Sequence, residues 1–171
     1  MMNLNKNIVL IGMMGSGKST IGYLLSKSVN LKFVDIDKVI EKESGLKIFQ
    51  IFEKKGESYF RTLEEKVSLK ILKERKKIIA LGGGGFTNKN IRKEVLSNNL
   101  SFWLNWKSST IISRIFKSKK RPVASSLNKN DLKNLIYERS KIYSEANIKI
   151  NCENLTKNMI TNQIIEFYEK N

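Results

Sequence analysis

The chain contains no histidine, one proline and one cysteine in 171 residues, and half as many acidic side chains as basic ones. Without histidine, any proton transfer must run through a carboxylate, a lysine or water. The lone cysteine, Cys152, excludes an internal disulfide and suits a reducing compartment. The lone proline, Pro122, and the lack of a Pro/Ser-rich stretch leave no linker signature, so residues 1–171 read as one domain. No window approaches the roughly 18 apolar residues of a membrane-spanning helix. The short apolar run Ile8 to Ile11 has one lysine before it and no small-residue cleavage site, and it reads as a buried strand. A cytoplasmic protein with no membrane partner is expected. No heptad or apolar stripe points to an assembly, so a monomer is expected.

The shortage of acid leaves a formal charge of +16. A basic excess can signal nucleic acid, because lysines that neutralise phosphates release counterions. Here the lysines are spread over every segment, with no confined basic tail and no stripe interleaved with aromatics. That distribution favours a solvated surface that steers anionic ligands, and no nucleic-acid partner is expected. The alternative motivated by the charge, a nucleotide-dependent nucleic-acid binder, predicts salt-sensitive binding of DNA or RNA. Hydrophobic residues make up 40% of the chain, enough for a buried core.

Strand-length apolar runs alternate with segments of helical period. Strands are expected at Asn7–Ile11, Lys32–Ile36, Ile78–Leu81, Leu100–Leu104 and Asn147–Ile150. Helices are expected at Ser19–Val29, Lys38–Glu43, Ile48–Lys54, Glu57–Lys73, Asn88–Ser97, Ser108–Phe116, Asp131–Glu145 and Thr156–Glu169. The stretch Lys117–Asn130 is polar, basic and aperiodic. Such alternation predicts an α/β fold, a five-stranded parallel sheet with helices on both faces, and ligands along the carboxyl edge of the strands.

Gly12-Met13-Met14-Gly15-Ser16-Gly17-Lys18-Ser19 satisfies GxxxxGK[ST] at every fixed position, where a strand becomes a helix. Glycines let consecutive N–H groups turn inward as an anion nest, and the helix that follows points its positive end at the same place. Lys18 then reaches phosphate oxygens and the Ser19 hydroxyl serves Mg²⁺. The bland alternative is a glycine turn beside a surface lysine. No guanine-reading NKxD stretch is present, and the strand at Ile78–Leu81 ends in glycine, so Asp35 is the candidate second oxygen ligand for the metal.

Three further clusters carry chemistry. Phe33-Val34-Asp35-Ile36-Asp37 places two carboxylates at alternating positions at the end of a strand, and period-two alternation aims both to one face. Asp37 could equally cap the helix that follows. In Gly56-Glu57-Ser58-Tyr59-Phe60-Arg61-Thr62-Leu63-Glu64, Arg61 and Glu64 stand one helical turn apart, so the carboxylate can orient the guanidinium, although such a pair is also an ordinary surface ion pair. Gly82 to Gly85 follow a strand and invite close backbone approach to a ligand, or form a flexible turn.

The pattern resembles the shikimate kinases, similar in fold to the nucleoside monophosphate kinases. The match runs in order through Gly-Met-Met-Gly-Ser-Gly-Lys-Ser-Thr at 12–20, Asp-Ile-Asp-Lys-Val-Ile-Glu at 35–41 and Ile-Phe-Glu-Lys-Lys-Gly-Glu-Ser-Tyr-Phe-Arg at 51–61. It continues through Leu-Gly-Gly-Gly at 81–84, Arg-Pro-Val at 121–123 and Arg-Ser-Lys-Ile-Tyr-Ser-Glu-Ala at 139–146. The resemblance implies a three-layer P-loop kinase fold with a mobile lid at about 117–130, a phosphate loop at 12–19 and a substrate-binding helical region at about 37–61. It also implies transfer of the ATP γ-phosphate to the shikimate 3-hydroxyl with one Mg²⁺. Gly15, Ser16, Gly17, Lys18, Ser19, Thr20 and Arg121 would hold ATP. Asp37, Arg61, Gly83 and Arg139 would hold shikimate. Ser19 and Asp35 would hold the metal, Asp35 through water. Lys18, Asp37 and Arg121 would be catalytic, with Glu41, Phe60 and Glu64 in support. Departures are mild: Val123 in place of leucine, Lys141 in place of proline, and Gly85 as one extra glycine. The adenine-binding segment, around Asn151–Thr156, is poorly marked. Gluconate or nucleoside monophosphate kinases and a catalytically idle relative are the competing readings.

Overall fold

A computed structural model describes residues 6–118 and 128–170. Arg121 and most of the expected lid lie outside the described residues. Five parallel strands, β1 (Ile8–Ile11), β2 (Lys32–Asp35), β3 (Lys77–Ala80), β4 (Leu100–Asn105) and β5 (Ile148–Asn151), form one sheet in the order β2-β3-β1-β4-β5. Among the described residues the helices are α1 (Lys18–Val29), α2 (Ile36–Ser44), α3 (Ile48–Leu72), α4 (Lys89–Asn98), α5 (Ser108–Lys117), α6 (Lys129–Tyr143) and α7 (Lys157–Lys170), with a 3-10 turn at Gly85–Thr87.

Strand β1 sits at the centre, and its residues are apolar and almost fully buried. A central parallel strand is covered on both faces, so it needs apolar side chains at every position and not at alternate ones. Side-chain alternation then divides the core. Val9 and Ile11 point into a cluster with Ile79, Trp103, Val67 and Ile136, whereas Ile8 and Leu10 point into one with Ile21, Leu25, Phe102 and Ile164. The chain passes from β1 to the β2-β3 side and later returns to β4 on the other side. The loop after β1 therefore lies at the switch in strand order, where open α/β sheets leave a crevice for ligands.

Two features of these helices bear on the site. The expected helices Ile48–Lys54 and Glu57–Lys73 are both present, running together as α3 and separated by a kink at Gly56, whose φ of 83° and ψ of 168° are non-helical. Only the backbone angle calls for glycine there, since a Cβ at Gly56 would meet nothing within 4 Å. The departure from the sequence reading concerns the two aspartates. Strand β2 ends at Asp35, so the pair is not held together by strand alternation. Asp35 is the N-cap of α2 and its Oδ1 accepts the Asp37 N–H at 3.1 Å, so Asp37 sits in the first helical turn. The cap is Asp35, not Asp37.

Candidate functional site

Three glycines of the loop between β1 and α1 have positive φ: Gly12 at 149°, Gly15 at 83° and Gly17 at 90°. Other residues rarely take such angles, and here they curl the loop so that α1 begins directly at Lys18. Ser16 N–H closes the turn onto Met13 O at 3.1 Å. Lys18 Nζ donates to Gly12 O at 2.7 Å and to Met13 O at 3.0 Å, so its ammonium lies over the loop. The Ser19 hydroxyl donates to Asp35 Oδ2 at 2.6 Å. Two hard oxygen donors are thereby paired at the end of the sheet, the chemistry that Mg²⁺ accepts.

Beside this loop the glycine run forms a floor under the side chains of Asp37, Glu64, Arg61 and Arg139. None of Gly82 to Gly85 has positive φ, so backbone freedom is not what they supply. A Cβ on Gly82 would stand 2.6 Å from Glu64 Oε1 and 2.8 Å from Asp37 Oδ1. On Gly83 it would stand 3.3 Å from the Met14 nitrogen and 3.5 Å from Arg139 Nη1, and on Gly84 2.5 Å from Arg61 Nη1. Three successive residues thus touch Asp37, Arg139 with the phosphate loop, and Arg61. Asp37, Arg61, Gly83 and Arg139, all predicted from sequence, are brought together beside residues 12–19.

Each side chain is held in place. Arg61 Nη1 donates to Glu64 Oε2 at 2.7 Å and Arg61 Nη2 to Glu57 Oε1 at 3.2 Å, while the Glu64 side chain is 2% exposed. The expected Arg61–Glu64 pair is therefore half-buried, a buried carboxylate holding a partly exposed guanidinium. Arg139 Nη1 approaches Met13 Sδ at 3.8 Å. Phe60 packs on Phe52 with ring centres 4.7 Å apart. Glu41 accepts from Lys47 Nζ at 3.0 Å and from Ile48 N–H at 3.3 Å, tying α2 to the start of α3. Burial pushes the Asp37 carboxyl up to about 6; the Asp35 carboxylate adds to this, and the Lys18 ammonium opposes it.

Beside the phosphate loop lies a cavity of about 690 Å³, lined among others by Gly17, Thr20, Trp106, Arg114, Leu155 and Thr156. Trp106 Nε1 donates to Ser16 O at 2.9 Å, and Arg114 Nη1 to Gly15 O at 3.2 Å. The Arg114 guanidinium lies 3.7 Å from the centre of the Trp106 ring. Trp106 and Arg114 were not picked out from the sequence; the available signal was a tryptophan just beyond a strand at the carboxyl edge. The segment around Asn151–Thr156 does reach this cavity, through Leu155 and Thr156.

A loop shaped for phosphates, beside a carboxylate and two guanidinium groups gathered along one glycine run, is the equipment of a P-loop kinase with an anionic acceptor. Known proteins narrow the class. The family model described as shikimate kinase matches residues 14–169. The shikimate kinase of a Sulfurihydrogenibium species is 41% identical over 160 residues, covering 94% of this chain and 96% of that protein. Among solved structures, shikimate kinase from Acinetobacter baumannii in complex with shikimate superposes with a TM-score of 0.89 at 29% identity, covering 97% of this chain and 93% of that one. The Aquifex aeolicus enzyme gives a TM-score of 0.81 at 38% identity, covering 96% of each chain. The chain belongs to the shikimate kinase family.

Proposed function

We propose that this protein transfers the γ-phosphoryl group of ATP to the 3-hydroxyl of shikimate, giving shikimate 3-phosphate and ADP on the route to chorismate and the aromatic amino acids. The observation that carries the reading is the convergence of Asp37, Arg61 and Arg139 on three consecutive glycines next to the phosphate loop. Family membership and the shikimate held by the Acinetobacter relative support it.

Arg61 and Arg139 clamp the carboxylate of the acceptor, for which a planar two-pronged donor suits better than lysine. Gly83 offers its N–H to the acceptor. Asp37 accepts from the attacking hydroxyl, fixes its direction and takes its proton late. Phosphoryl transfer passes through a loose transition state, so positioning and charge neutralisation matter more than a strong base. An Asp37 carboxyl near 6 fits that late role. Gly15, Ser16, Gly17, Lys18, Ser19 and Thr20 hold the ATP phosphates, and Lys18 neutralises charge on the transferred group. Ser19 and Asp35, the latter through water, would hold one Mg²⁺, which supplies further neutralisation when bound. Arg121, in the segment proposed as a lid at about 117–130, closes over the phosphates and helps to exclude water as a competing acceptor. The cavity beside Trp106 and Arg114 receives the nucleoside end of ATP. We propose a cytoplasmic monomer acting as a single domain.

A coupled ADP-release assay over shikimate, gluconate and the nucleoside monophosphates tests the assignment. Turnover confined to shikimate is expected. Turnover only with a monophosphate or gluconate would move the protein to a neighbouring kinase specificity, and none with any acceptor would leave only a nucleotide-binding α/β protein.

A further inference from the structure

Tyr143 closes α6, four residues after Arg139, and its side chain is 1% exposed. Residues four apart on a helix lie on one face, so Tyr143 and Arg139 reach the same place. The Tyr143 hydroxyl donates to the Gly83 carbonyl. Met13 Sδ of the phosphate loop lies 3.7 Å from that hydroxyl and 3.8 Å from Arg139 Nη1. The ring is braced against Trp103 of β4, with centroids 6.0 Å apart. One phenol therefore touches the phosphate loop and the glycine floor, on the helix that carries Arg139.

The consequence for the floor follows from peptide geometry. A trans peptide is planar, with its C=O and N–H pointing in opposite directions. The Gly82 carbonyl accepts the Gly85 N–H at 2.9 Å, which fixes where the Gly83 N–H points. The Gly83 carbonyl is held by Tyr143, which fixes where the Gly84 N–H points. Among the described residues neither the Gly83 nor the Gly84 N–H donates to a protein acceptor. Glycines resist rotation poorly, so a peptide between two of them needs an outside anchor. Burial pushes the Tyr143 phenol up to about 12, against the pull of the Arg139 guanidinium beside it, so it remains a donor at all working pH values.

We infer that Tyr143 is a positioning residue for the acceptor: its hydroxyl locks the Gly83–Gly84 peptide, which leaves the Gly84 N–H free for the substrate next to the Gly83 N–H, and sets the spacing between that peptide and Arg139. This rests on the functional proposal above for the existence of an acceptor pocket, and it adds a residue that makes no contact with the reacting atoms.

Tyr143→Phe keeps the ring packing and removes only the hydroxyl. The expected result is a rise on the order of tenfold in KM for shikimate, as befits one buried hydrogen bond, with KM for ATP within twofold of the parent. Trp103→Phe serves as the packing control. It is expected to lower Tm while leaving the shikimate KM in place. An unchanged shikimate KM in Tyr143→Phe, or a parallel rise in both KM values, overturns the inference. So does a Tyr143→Phe chain that no longer gains Tm on adding ATP, because the hydroxyl would then be a folding requirement. A rise in shikimate KM in Trp103→Phe equal to that in Tyr143→Phe overturns it as well. If the unaltered chain phosphorylates a different anionic acceptor, the shikimate assignment fails by itself, and the same comparison is made on that acceptor.

Discussion

The Ser19 hydroxyl and the Asp35 carboxylate meet at 2.6 Å, joining the first turn of α1 to the last residue of β2. Asp35 is also the N-cap of α2. The two tasks can be separated by chemistry. Asparagine caps a helix about as well as aspartate but brings no charge to a divalent cation. Asp35→Asn is therefore expected to keep its Tm and to need roughly tenfold or more Mg²⁺ for half-maximal turnover, in line with the loss of an outer metal partner. A Mg²⁺ titration at fixed ATP checks this. An unshifted midpoint would remove Asp35 from the metal site.

Two glycines make a matched test of what glycine does here. At Gly82 the backbone angle is ordinary, but a methyl group would stand 2.6 Å from Glu64 Oε1 and 2.8 Å from Asp37 Oδ1. Glu64 is almost fully buried and tied to Arg61, so it cannot yield easily. Gly82→Ala should displace Asp37 and lower kcat/KM for shikimate by about a hundredfold, with a stability cost of about 1–3 kcal/mol. At Gly56 space is open but φ is 83°. Gly56→Ala should cost about 1 kcal/mol or more in stability and leave kcat near normal. Thermal melts and steady-state rates on both variants decide the matter, and a reversed pattern would refute the distinction.

These glycines also show what the sequence could and could not tell. The phosphate loop was legible because its spacing and its strand–helix setting are both demanded by one backbone shape. The five strands were legible because buried parallel strands read as short apolar runs. Gly82 to Gly85 were seen as a place of close approach, but a run of glycines looks the same whether a turn or a crowded floor requires it. Asp35 and Asp37 were found, yet the i, i+2 spacing fits a strand face and a capped helix turn equally well. Trp106 and Arg114 escaped because they meet the phosphate loop 90 and 99 residues away in sequence. Tyr143 appeared in a family motif with no role attached, since an aromatic at helical spacing reads as core.

Arg61 is expected to divide the two substrates. It faces the glycine floor, and its hydrogen bonds and ion pairs go to Glu64 and Glu57 and not to residues 12–19. Arg61→Ala should abolish detectable shikimate binding and leave ATP affinity within about twofold, measured by calorimetry with each ligand alone. The substitution also leaves the Glu64 carboxylate buried without its partner. A loss on the order of 1–3 kcal/mol follows, below the value for a fully buried pair because Arg61 remains 36% exposed. Adding Glu64→Gln should recover part of that stability without restoring shikimate binding. Equal loss of ATP and shikimate affinity would show that Arg61 holds the fold of the site and not the acceptor.

Asp37 sits under opposing demands of function and stability. Its carboxyl is raised from 3.8 to about 6, chiefly by burial and then by the Asp35 carboxylate. The native state thus binds its proton more tightly than the unfolded chain does. The stability linked to that proton is present below pH 3.8 and is lost as pH rises through about 6. At neutral pH the ionised group costs the empty protein up to about 3 kcal/mol. Asp37→Asn removes the charge and keeps the shape. Without ligands or Mg²⁺, it should therefore melt higher than the parent at pH 7.5, with the gap shrinking towards pH 4. Turnover should fall by about 10²–10⁴ through loss of the carboxylate that takes the hydroxyl proton, and in the parent kcat/KM for shikimate should decline as pH drops through about 6. Melting curves at three pH values, run beside rate measurements, test both halves. A folded Asp37→Asn with near-normal turnover would remove Asp37 from the catalytic step, and a Tm gap that does not change with pH would remove the raised carboxyl.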